Sequence, residues 1–244
     1  MDTSFTIRIQ RYSPEKRKIW FDEFQVPYSK KLTVLDALEY IKKGKDASIT
    51  YRSSCRMAIC GSCGMLVNDK PVLACSTYCY KQKQPITIKP LKNFPIIKDL
   101  VVDTDSALAK FREAMPYTDF VRKRTNLKEE NIQSPADLRK IMQASQCIKC
   151  MLCYSVCPVF AANKDFIGPA ATASAYKYQK DTRDILKNER MDSLISKDGV
   201  FKCSYVGECS KVCPEKVDPA LLIQKMKISG LLHATKRIIK RKRK

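Results

Sequence analysis

Twelve cysteines in 244 residues, nearly all in tight groups, constrain this chain more than any other feature of its sequence. They stand at positions 55, 60, 63, 75 and 79, then 147, 150, 153 and 157, then 203, 209 and 213. The opening residues, MDTSFTIRIQRY, lack the apolar core and cleavage site of a secretory signal, so the short C-x-x-C spacing points to metal before disulfide. A single histidine, His233, excludes chemistry built on several imidazoles. The balance of 44% hydrophobic and 29% charged residues is globular, and no run approaches the roughly 18 apolar residues of a membrane span. Mean hydropathy is −0.33. The formal charge of +21 calls for nucleic acid, an anionic membrane surface or an acidic protein as partner.

The length suits two domains of about 100 to 150 residues. Residues 1–95 read as β-rich. Phe5, Ile7 and Ile9 alternate with Thr6 and Arg8, a second strand is expected over 18–26, and Thr33 is placed to cap a helix bearing Leu35, Leu38 and Ile41 on one face. Residues 65–67 and 72–74 read as a hairpin across Asn68, Asp69, Lys70 and Pro71, followed by a strand at 86–88. Residues 96–133 read as a connector, helical over 108–115 until Pro116, then polar and exposed over 122–133. Residues 134–244 read as helical. Ser134 with Pro135, Gly168 with Pro169, Asp181 and Asp218 with Pro219 are the expected helix starts, the third helix running to about residue 195. The expected fold is α+β: an N-terminal β-grasp domain over 1–95, then an all-α domain over 134–244 that ends in a basic tail.

Cys55, Cys60 and Cys63, with Cys75 further on, have the C-x4-C-x2-C spacing of a plant-type [2Fe–2S] ferredoxin loop. Gly61 and Gly64 let the backbone approach inorganic sulfur and aim N–H groups at it. The alternative is structural zinc, whose cysteines usually come as two C-x-x-C pairs. Further on, Cys147, Cys150, Cys153, Cys157 and Pro158 are repeated 56 residues later by Cys203, Val206, Cys209, Cys213 and Pro214. Both copies follow the bacterial ferredoxin run C-x2-C-x2-C-x3-C-P, in which the fourth cysteine serves the other cluster. Crossing the ligands gives Cys147, Cys150, Cys153 and Cys213 to a [4Fe–4S] cluster. Cys157, Cys203 and Cys209 are left for a cluster whose fourth corner, Val206, has no donor atom. That set predicts [3Fe–4S], with a raised reduction potential because one thiolate charge is missing. Glu208 is the alternative fourth ligand. Cys79 is left over as a buried or partly exposed thiol.

No dinucleotide loop, nucleophile motif or His–Asp pair accompanies the cysteines, so the chain itself reads as a relay with no catalytic residue. Its two ends should face different partners: a two-electron donor or acceptor at the low-potential end, a quinone or haem at the other. A free-standing polyferredoxin is the rival. A nucleic-acid enzyme would bring a motor or nuclease core, and none is visible.

The stretch from Ser54 to Met65 (SCRMAICGSCGM) resembles the [2Fe–2S] loop of the iron–sulfur subunits of fumarate reductase and succinate dehydrogenase. Residues 93–103, 147–158, 166–171 and 203–219 match that family as well, so the resemblance covers nearly the whole chain. Met57-Ala58 and Gly64-Met65 are more like the fumarate reductase branch. The resemblance implies a flavoprotein partner with FAD, a membrane anchor with or without haem b, and menaquinone or ubiquinone at the interface with that anchor. In the fumarate-reducing direction electrons would pass from quinol through [3Fe–4S], [4Fe–4S] and [2Fe–2S] to FAD. It places the chain on the cytoplasmic face of a bacterial inner membrane. It also implies that Lys227, with Gln224 nearby, stands close to the quinone; the alternative for Lys227 is a solvated surface lysine. The charge predicts an acidic docking face on the flavoprotein. Residues 236–244 carry seven cations in nine positions, suited to anionic lipid or the anchor, or else simply solvated.

Overall fold

The structure is a computed structural model describing residues 4–119 and 130–242. The connector expected over 122–133 and the end of the basic tail therefore lie partly outside the described residues. Two compact units form: Met1–Thr104 with Ile148–Val156, and Asp105–Cys147 with Cys157–Lys244. The first unit thus runs past residue 95 and takes in part of the second cysteine run.

The first unit is built on a five-stranded mixed sheet with a long helix. Its strands are β1 (Ser4–Ser13), β2 (Lys18–Pro27), β3 (Gly64–Val67), β4 (Lys70–Leu73) and β5 (Ile86–Lys89), in the order β2-β1-β5-β3-β4. β1 pairs antiparallel with β2 and parallel with β5. Alternation along β1 buries Phe5, Ile7 and Ile9, as the sequence pattern requires. Helix α1 (Val34–Gly44) starts at Thr33 with a reciprocal capping box to Asp36 and buries Val34, Leu35, Ala37, Leu38 and Ile41.

Arg11 occupies the next inward position of β1 and is only 3% exposed. Its guanidinium donates to Asp99 at 3.0 Å, Asp22 at 2.7 Å, Asp46 at 2.6 Å and Ser48 at 2.7 Å. The Asp99 carboxylate also accepts from the Tyr12 and Thr50 amides at 3.1 and 2.9 Å. Asp99 lies between β6 (Ile96–Lys98) and β7 (Val101–Val102), a small antiparallel pair. Residues read as connector are therefore tied into the first unit by a buried charge that needs partners.

The hairpin β3–β4 is tighter than its sequence suggested. Asn68 and Asp69 both take positive φ, 48° and 65°, so two residues make the turn and Lys70 and Pro71 enter β4. β4 is an edge strand, where proline is tolerated.

The second unit is helical among the described residues. Its elements are α2 (Asp105–Glu113), α3 (Pro135–Ser145), α5 (Pro158–Ala162), α6 (Pro169–Lys180), α7 (Lys187–Leu194), α8 (Glu208–Lys211) and α9 (Pro219–Lys242). The short α4 (Leu152–Ser155) falls in the first unit. α6 is the hub and packs against α2, α3, α7 and α9. Residues Pro169 to Tyr176 are all buried, and four alanines among them allow close approach from every side.

Asp181 ends α6 where a helix start was expected. Its carboxylate accepts from the Arg183 amide and guanidinium, a local turn that delays α7 to Lys187. Arg190 of α7 is fully buried. It donates to Asp184 at 2.5 Å and to the carbonyls of Met115 and Tyr117 at 3.0 and 2.8 Å. Arg190→Met should destabilise the second unit by about 3–5 kcal/mol, because Asp184 keeps its burial and loses its cation. Chemical denaturation of the variant followed by circular dichroism checks this.

Candidate metal centres

The first centre is built on the β3–β4 hairpin. Cys63 immediately precedes β3, and Cys75 lies in a 3-10 turn, Ala74–Ser76, just after β4. The Gly64–Leu73 pairing and the Ala74 amide donating to the Cys63 carbonyl at 3.1 Å hold the two strand ends together. Two cysteines far apart in sequence are thereby brought to one end of a stiff ladder.

Cys55 and Cys60 come from the loop in front of it. Arg56, Ala58 and Gly61 take φ of 59°, 61° and 73°, which curls the loop so that its amides face sulfur. The N–H groups of Met57, Ile59 and Cys60 donate to the Cys55 Sγ at 3.4, 3.4 and 3.3 Å, and that of Ala58 to the Cys75 Sγ at 3.2 Å. Arg56 pins the loop to α1 through Glu39 at 2.5 Å. A loop with four amides aimed at thiolate sulfur suits an iron–sulfur cluster, whose sulfurs carry negative charge and are tuned by such donors.

The thiols differ in environment. The Ser62 hydroxyl, 3.1 Å from the Cys60 sulfur, holds Cys60 down at about 6. Burial pushes Cys63 up to about 11. Cys79 is fully buried at the start of another 3-10 turn, its amide donating to the Leu32 carbonyl at 2.9 Å. Burial, with Asp36 nearby, pushes its thiol up to about 12.

Within the second run, Lys149 and Met151 take φ of 54° and 65°, and α4 begins at Leu152 with Cys153 buried in it. Asn93 donates its side-chain amide to the carbonyls of Tyr154 and Ser155 at 2.9 and 3.0 Å, closing the end of α4. Cys147 follows α3, its amide 3.4 Å from the Ala144 carbonyl, and Cys213 follows α8, its amide 3.3 Å from the Ser210 carbonyl.

Cys157, Cys203 and Cys209 come together in the second unit. Cys157 caps α5, its sulfur accepting from the Phe160 amide at 3.4 Å. Tyr205, at φ 58°, donates to the Cys203 sulfur at 3.4 Å, and Gly207, at φ 83°, leads into α8 with Cys209. Burial pushes Cys209 up to about 11, and the negative charge of Cys157 and Cys203 adds to the effect. Burial raises Cys157 as well, with the charge of Cys203 adding. The charges of the three thiols therefore act on one another, with Cys157 and Cys209 the poorly solvated members. Val206 is 54% exposed and brings no donor atom, and Glu208 is engaged by Lys211 at 2.6 Å. No group of three His, Cys, Asp or Glu side chains among the described residues is placed to hold a single metal ion.

Lys227 and Gln224 both lie on α9. Lys227 donates from Nζ to the Cys203 carbonyl at 2.7 Å, a link that the sequence did not reveal. The Gln224 Nε2 is buried with no hydrogen-bond partner.

Comparison with known proteins agrees with this geometry. Residues 6–109 match the 2Fe-2S iron-sulfur cluster binding domain and residues 143–217 the 4Fe-4S dicluster domain. The chain is 46% identical over 225 residues to the fumarate reductase iron-sulfur subunit of Escherichia coli O157:H7, covering 92% of each chain. It is 43% identical over 237 residues to that of Mycobacterium tuberculosis (strain CDC 1551 / Oshkosh), covering 96% of this chain and 95% of the relative. Identity to the succinate dehydrogenase iron-sulfur subunit of Coxiella burnetii is 34% over 230 residues, covering 93% and 97%. A chain of the Mycobacterium smegmatis Sdh1 complex in the apo form shares the fold, with a TM-score of 0.83 at 24% identity over 94% of this chain and 96% of that one. On these grounds the chain belongs to the family of fumarate reductase and succinate dehydrogenase iron–sulfur subunits, and the fumarate reductase members compared are the more alike in sequence.

Proposed function

We propose that this chain is the electron-relaying iron–sulfur subunit of a membrane-bound quinol:fumarate reductase. The observation that carries the reading is the curled 55–60 loop with four amides aimed at cysteine sulfur, together with 46% identity to fumarate reductase subunits along 92% of the chain. Cys55, Cys60, Cys63 and Cys75 would hold [2Fe–2S]. Cys147, Cys150, Cys153 and Cys213 would hold [4Fe–4S], and Cys157, Cys203 and Cys209 would hold [3Fe–4S]. When bound, these groups supply one-electron sites between a quinone and a flavin.

The protein's own part is electrostatic and geometric. Backbone N–H groups offset thiolate charge, burial withholds water, and the hairpin fixes where Cys63 and Cys75 stand. Dicarboxylate chemistry belongs to a flavoprotein partner with FAD. No helix among the described residues is long and apolar enough to cross a membrane, and in this reading a membrane anchor subunit attaches the complex to the bilayer. We place the subunit at the cytoplasmic face between the two, with the basic end of α9 toward lipid or anchor. The buried, unpartnered Gln224 amide and nearby Lys227 support a quinone contact next to the Cys203 loop. Succinate oxidation by the same relay is the second reading, favoured by the succinate dehydrogenase relatives.

Anaerobically purified chain should hold about nine iron atoms, with [2Fe–2S], [3Fe–4S] and [4Fe–4S] signals in low-temperature electron paramagnetic resonance. Colourless protein holding zinc would end the proposal. Val206→Cys adds a fourth thiolate, so the trinuclear signal should give way to a cubane of lower potential. An unchanged trinuclear signal would refute the crossed ligand set. Lys227→Ala in the assembled complex should raise KM for quinol while leaving the [2Fe–2S] spectrum unchanged. An unaltered quinol KM would remove Lys227 from the quinone site.

A further inference from the structure

Gly61 lies against the second cysteine run. A Cβ placed on it would stand 2.8 Å from the Cβ and 2.9 Å from the Cα of Cys150, and 3.1 Å from the Ile148 carbonyl oxygen. A Cβ on Gly64 would meet the Cys150 carbonyl oxygen at 3.1 Å and Leu152 Cδ2 at 3.2 Å. All these residues belong to the first unit. The obstacles at Gly61 are backbone atoms and the root of a side chain, which cannot swing aside as a flexible tip can.

Left-handed backbone makes any side chain at Gly61 strained, but it is not the whole of the demand for glycine. Gly61 has φ 73°, yet Arg56 and Ala58 in the same loop carry side chains at φ 59° and 61°. Gly207 supplies the converse case, with φ 83° and nothing within 4 Å of its would-be Cβ. Close approach to Cys150 is what distinguishes Gly61.

We propose that Gly61, backed by Gly64, is a positioning residue for electron transfer: it keeps the [2Fe–2S] loop in direct contact with the chain of Cys150, a ligand of the [4Fe–4S] cluster. The inference rests on the ligand sets proposed above. Electron tunnelling weakens steeply with separation, so a contact between the two ligand-bearing segments with no side chain in it shortens the crossing. The step moves one electron, oxidising one centre as it reduces the other, and no bond breaks. A methyl group at 61 must push the segments apart.

The test uses full-length chain loaded with its clusters, as wild type, Gly61→Ala, Gly64→Ala and, as control, Gly44→Ala, whose added Cβ would meet nothing within 4 Å. Iron content is measured first, and then the magnetic broadening of the [2Fe–2S] signal when both centres are reduced at low potential. Gly61→Ala should keep its iron and show reduced broadening. Gly64→Ala should show a smaller reduction, and Gly44→Ala none. Wild-type broadening in an iron-replete Gly61→Ala protein overturns the proposal. If Gly61→Ala does not assemble its clusters, undiminished broadening in Gly64→Ala overturns it instead. Wild-type chain lacking either cluster overturns the ligand sets, a failure that iron content distinguishes from failure of the spacing role.

Discussion

Negative charge on sulfur, removed from water, is what the architecture has to accommodate. A desolvated thiolate is unfavourable unless donors meet it, and burial, with the charge of neighbouring cysteines, drives Cys63 and Cys209 toward the neutral thiol. The protein answers with backbone amides. Left-handed residues at 56, 58 and 61, and again at 205, turn the chain inward so that N–H groups face sulfur. A side-chain cation, Lys164, acts on Cys157 as well.

The two units solve the same problem with different frames. In the first, hydrogen-bonded strands deliver Cys63 and Cys75, and a salt bridge to α1 steadies the loop that delivers Cys55 and Cys60. In the second, short helical turns begin at or beside the cysteines, with Cys157 capping α5 and Cys209 within α8. The long α9 is tied to this region by one lysine, which links the helix proposed to meet quinone to the carbonyl of Cys203, a proposed cluster ligand. A movement of α9 would therefore be felt at Cys203.

Much of this was legible in the residues. The alternation in β1, the Thr33 cap and the spacing of the first cysteine set each express a local rule that tertiary structure did not overturn. Val206 could be read from its place in the 56-residue repeat alone. The misread parts are those decided by distant partners. Residues 96–104 looked like linker because the attraction of Asp99 for Arg11, across 88 positions, leaves no mark in local sequence. Asp181 resembles a helix cap, but Arg183 two residues on takes its carboxylate. The Lys227 contact with Cys203 is equally non-local.

The placement of Pro71 bears on how the sheet meets other molecules. An open sheet edge offers a row of amides and carbonyls that a strand from another chain can extend. At β4, one amide in that row does not exist, since proline has none to give, and Lys70 beside it adds charge. The edge of the hairpin that presents Cys63 and Cys75 is thus a poor template for strand addition, which guards the unit against pairing with its own copies.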